Sequence, residues 1–168
     1  LVWGFFLINF KMKYARLTLE QFEELHEEFS LFLASQSIDK KKWDELKSQN
    51  SNIVAEEMDL FSDMVWDRTL EKVEYLENLS ENHLFLFKRQ KKSIDLILIK
   101  SKENAPSLVS EGAWQWLLEN IMHSSVTIFQ SSKAIDGDFK VAIFGLIKNG
   151  ASIAKADRFE QIKSFLSK

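Results

Sequence analysis

Glu23 and His26, three apart in Glu23-Glu24-Leu25-His26, place a carboxylate and an imidazole on adjacent turns if the segment is helical. Di-iron carboxylate bundles use two such Glu-x-x-His pairs plus a Glu from each of two further helices. The second pair is missing, because Ser80 and Asn120 stand three before His83 and His123. A divalent metal held by Glu23, His26 and acids of 56–67 is therefore the alternative reading, and no cofactor is expected. The plainer one puts His26 at the edge of an apolar face, bonded to Glu23 or Ser30.

A second constellation is acidic. Glu56, Asp59, Asp63, Asp67, Glu71 and Glu74 recur every three or four residues, so a helix gathers them into one stripe. Like charges at that spacing each cost about 0.2–0.5 kcal/mol, so a basic group should lie against them. The nearest source in the sequence is the cluster Lys88, Arg89, Lys91 and Lys92; a basic partner protein or a divalent cation are the other candidates. That cluster is also the candidate for phosphate contacts. The acidic balance and the lack of interleaved aromatics argue against nucleic acid and for a soluble turn. Gly-x-Ser-x-Gly, P-loop and GxGxxG patterns are absent.

Charge is divided along the chain. Residues 17–81 carry 17 acidic and 6 basic side chains, whereas residues 82–168 carry 8 acidic and 13 basic, a division hidden in the net −3. The halves attract one another or face different partners. No Cys is present, which excludes disulfides and thiolate chemistry and is compatible with a cytoplasmic location. One Pro and five Gly favour helices over a turn-rich β fold.

The elements that must position these groups follow from periodicity. Thr18-Leu19-Glu20-Gln21 has the form of a capping box, and Phe22, Leu25, Phe29, Phe32 and Leu33 predict a helix over 18–35. A short helix follows over 40–49, with Asp39 as N-cap, and a long one over 53–79. His83–Lys88 and Ser93–Lys100 read as a hairpin, 111–123 as a helix and 126–130 as a third strand. Phe139, Ala142, Ile143, Leu146 and Ile147 predict a helix over 139–149, between Asp138 and a left-handed Gly150. A terminal helix closes the chain. The expected order is α-α-α-β-β-α-β-α-α, an α+β fold with a three-stranded sheet (hairpin 83–100 plus strand 126–130) covered by helices.

Residues 1–11 (LVWGFFLINFK) are too short to span a bilayer and read as a leader extraneous to a single domain over 12–168. A membrane enters only if they are the end of a truncated anchor. From Met12 onward, MKYARLTLEQFEELHEEF, EEMDLFSDMVWD and EGAWQWLLEN resemble a family of short bacterial proteins from one Gram-negative phylum. It is characterised only as a domain of unknown function. The resemblance implies a soluble bacterial protein and brings no active site with it. The expected function is a non-enzymatic cytoplasmic binding or adaptor domain contacting a basic protein surface through its acidic helical face. A carboxylate-rich metal enzyme is the alternative, and RNA or ribosome association a weaker one.

Overall fold

The computed structural model describes residues 11–167, so the reading of 1–11 as a leader falls, apart from Lys11, outside them. The chain divides into two compact units that meet in sequence at Thr69–Leu70.

The first unit is helical: α1 (Leu19–Glu24), α2 (His26–Ser35), α3 (Lys40–Gln49) and most of α4 (Ser51–Glu71). The capping box forms, with Gln21 N–H donating to Thr18 Oγ1 at 3.2 Å and Thr18 N–H to Gln21 Oε1 at 2.9 Å. The single helix expected over 18–35 is interrupted at Leu25. There the His26 imidazole donates from Nδ1 to the Glu23 carbonyl (3.0 Å), the acceptor that the Glu27 N–H would use in an unbroken helix. A side chain inserted into the ladder is a recognised cause of such a break. α2 ends with Ser37 at φ +60°, while Ile38 N–H reaches Leu33 O and Ser37 N–H reaches Ala34 O. That is a Schellman ending, and its accompanying apolar pair, Leu33 and Ile38, is buried. The core is aromatic. Phe61 of α4 is fully buried, with Phe29 and Phe32 at 5.0 and 5.5 Å between ring centroids. Phe29 also meets Phe22 and Trp43 edge-on.

The second unit is built on one antiparallel sheet of five strands: β1 (Tyr75–Leu79), β2 (His83–Arg89), β3 (Ser93–Ser101), β4 (Val126–Ala134) and β5 (Ser152–Ala154). Their spatial order is β4-β3-β2-β1-β5, with α5 (Ala113–Glu119), α6 (Phe139–Lys148) and α7 (Ala156–Leu166) in the connections. This corrects the three-stranded expectation at three places. The long helix stops at Glu71, and residues 75–79, read as its last turns, form β1. Leu76 fitted a helical stripe, but it is 1% exposed as a strand residue between Phe87 of β2 and Ile153 of β5. Pairing on both sides satisfies more backbone than a frayed helix end does, and such context overrides local preference. β5 has three residues, too few for alternation to show. β4 runs on to Ala134, because all nine of its residues pair with β3.

Helix α5 is also shorter than expected, with Gly112 and not Ser110 at its N-cap. α6 matches its apolar spacing; Asp138 caps it, and Gly150 (φ +94°) closes a Schellman ending with Ala151 N–H on Leu146 O. One sheet face (Leu84, Leu86, Ile97, Ile99) packs against Leu117 at α5 and Phe159 and Ile162 of α7. Each such side chain contributes about 1.5–3 kcal/mol by leaving water. The opposite face carries Phe85, Phe87, Leu96 and Leu98, aligned by the β2–β3 register.

Candidate functional site

Three acids of α4, Asp59, Asp63 and Asp67, are engaged from within their own unit. Asp63 accepts the backbone N–H groups of Lys13 (2.7 Å) and Tyr14 (2.9 Å). Asp67 takes the Tyr14 hydroxyl at 3.1 Å and Lys13 Nζ at 3.4 Å, and Asp59 pairs with Arg16 Nε. Leu17 N–H donates to the buried Ser62 Oγ, and Trp66 Nε1 donates to the Ala15 carbonyl. The segment 13–17, bent at Lys13 and Tyr14, thus runs along α4, with Lys13 near Asp67 and Arg16 near Asp59. Burial, with help from Asp67, raises the Tyr14 hydroxyl above its ordinary value, and the Asp59 hydrogen bond raises the Arg16 guanidinium.

At Asp59, Asp63 and Asp67 the relief thus comes from Lys13, Tyr14 and Arg16. Of the other acids, Glu71 pairs with Lys140 at 3.2 Å, while Glu56 and Glu74 are exposed. The six do not form one open surface. The alternation of Lys13 and Arg16 ahead of a buried Leu17 was the available signal for this strap.

Half of the basic cluster, Lys88 and Arg89, is committed as well. Lys88 Nζ lies 2.5 Å from Glu160, which also accepts the Tyr75 hydroxyl at 2.8 Å. These two hydrogen bonds, Lys88 first, hold the Glu160 carboxyl below its usual range, and Lys88 is raised in return. The Arg89 guanidinium sits 4.4 Å from the Phe139 ring centroid. Lys91 and Lys92 stay exposed on the turn. Glu23 and His26 are both exposed, and they are joined through the Glu23 carbonyl and not its carboxylate. Among the described residues no three His, Asp or Glu side chains gather as a metal-holding group.

One concave site was invisible to spacing arguments. A groove of about 580 Å³ opens between the sheet's outer face and α6. Phe87, Ile94 and Leu96 form its floor, and Ala142, Gly145 and Leu146 its helical wall. Lys133 and Asp136 put one charge of each sign on the rim. The volume is within the usual range for ligand sites, which are mostly apolar with a few polar groups. Gly145 is the telling residue. A Cβ there would meet no atom within 4 Å, so neither packing nor backbone geometry requires glycine. Beside the groove, Phe85 and Phe87 stack at 6.4 Å, and Phe129 of β4 is 51% exposed on the same face.

Fold and groove define the class: an α+β protein whose antiparallel sheet is packed by helices on one face and bears an apolar groove under a helix on the other. The chain belongs to the family of unknown function DUF6495, which it matches over residues 12–167. No curated protein and no solved structure matches it. Among the described residues no helix is long and apolar enough to cross a membrane.

Proposed function

We propose that this chain is a non-enzymatic binding domain whose contact site is the groove beneath α6, not the acidic face of α4. The observation that carries the reading is Gly145. Glycine inside a helix is less stable than alanine by about 0.5–1 kcal/mol, and here it leaves open an apolar space that a side chain would fill. Retaining that space is useful if something apolar occupies it. The acids at 59, 63 and 67 are poorer contacts, because their oxygens already accept hydrogen bonds from residues 13–16.

The test uses 8-anilinonaphthalene-1-sulfonate, an apolar ring system with one anion, matched to the floor and to Lys133. Dilute protein should bind it saturably. Gly145→Leu should abolish that binding while leaving circular dichroism unchanged and the melting temperature equal or higher. Absence of binding, or binding untouched by Gly145→Leu, would sink the groove as the contact site.

A further inference from the structure

Sheet edges in proteins are normally blunted by shortness, charge, proline or bulges, because unpaired N–H and C=O groups recruit other strands. The two edges of this sheet differ. β5 has three residues. β4 has nine, pairs with β3 without a bulge, contains no proline and carries one charge, Lys133. From Phe129 to Ala134 every residue is exposed. Among the described residues no strand pairs with the outer side of β4, and at about 3.3 Å per residue this leaves roughly 30 Å of edge.

Two features on one face of this edge make it self-complementary. Phe129 projects with 51% of its surface exposed, and Ser131, two residues on, borders the apolar groove. We propose that β4 pairs antiparallel with β4 of a second copy about a two-fold axis at Gln130, each Phe129 entering the other copy's groove. A two-fold interface uses the same patch twice, so a knob and a hole must lie symmetrically about the axis. Gln130 as centre sets Phe129 opposite Ser131 on the groove face. It also sets Lys133 opposite Thr127, so no like charges meet directly, an arrangement that would be destabilising. The result is one continuous ten-stranded sheet. This inference rests on the groove accepting an apolar side chain and names that side chain.

Sedimentation velocity of the full chain over a wide concentration range tests it, together with hydrogen exchange of the β4 amides at both ends of that range. The expected result is a concentration-dependent dimer, with alternate β4 amides gaining at least tenfold protection in concentrated protein. Phe129→Ser, at an exposed position, should stay folded and shift the midpoint at least tenfold upward in concentration, and Gly145→Leu should do the same by filling the groove. A monomer at every concentration overturns the proposal, as does a dimer indifferent to either change. The dye separates the two failures. A persistent monomer that binds it in a Gly145-dependent way ends the pairing and leaves the groove standing, whereas loss of dye binding ends both.

Discussion

Asp63 shows how far one carboxylate's role departs from its place in a charge pattern. In the sequence it is one of six acids in a stripe; in the fold its two oxygens hold the backbone of Lys13 and Tyr14. Asp63→Ala should therefore cost about 1.5–3 kcal/mol, the range for hydrogen bonds to a charged group, and not the small change of an exposed acid. Urea unfolding followed by tryptophan emission measures it. Glu57 is the opposite case. Its Oε2 is buried without a hydrogen-bond partner among the described residues, and burial, reinforced by Glu56, raises its carboxyl. A carboxyl raised in the folded state penalises stability above its folded value, and the penalty fades as pH falls toward the unfolded one. Glu57→Gln should thus melt higher than the parent at neutral pH and converge with it in acid. Glu160 has the reverse sign. Its lowered carboxyl contributes stability above the ordinary Glu range, and that contribution is lost as pH falls through the depressed value. The Glu160 environment was not readable beforehand, since Tyr75 and Lys88 reach it across 85 and 72 residues.

At the scale of elements, the two Schellman endings form a natural experiment. α6 closes on Gly150 and α2 on Ser37, both left-handed. A left-handed conformation costs a residue bearing Cβ roughly 1–2 kcal/mol. Ser37→Gly should stabilise the protein by up to about 1 kcal/mol, and Gly150→Val should destabilise it by at least that much. In the second case the new Cβ would also lie 3.3 Å from Asn78 Nδ2. Paired melting curves of both variants decide it, and opposite signs are required. Elements with a local cap and a clean period, α3 and α6, were legible with their boundaries. α4 was not, because nothing local between Glu71 and Tyr75 marks its end: no glycine or proline stands there, and the strand that replaces it exists by virtue of β2 and β5.

At the scale of the molecule, the two units have separate cores, one aromatic around Phe61 and one aliphatic between the sheet and α7. Stability need not be uniform across such a chain. Phe61→Ala removes a fully buried ring, at a cost of about 3–5 kcal/mol. It should raise exchange of the α1–α3 amides selectively and leave β2 and β3 near parent values. Equal loss in both units would mean a single cooperative block.

The sequence by itself determined what depends on neighbours a few residues away: the capping box at Thr18, α3 and its Asp39 cap, the β2–β3 hairpin and the helix ahead of Gly150. Its charge pattern also favoured a basic group against the acids of α4. Tertiary structure alone brought Lys13 to Asp67 and Arg16 to Asp59, because these contacts join residues 54 and 43 apart. It alone turned residues 75–79 and 152–154 into strands, since their hydrogen bonds are made to segments far along the chain. It alone made the groove, because a cavity is the space left between β2, β3, β4 and α6 and has no local periodicity. Gly145 was visible as a glycine in a helix; that its missing side chain opens onto apolar space followed only from the packing.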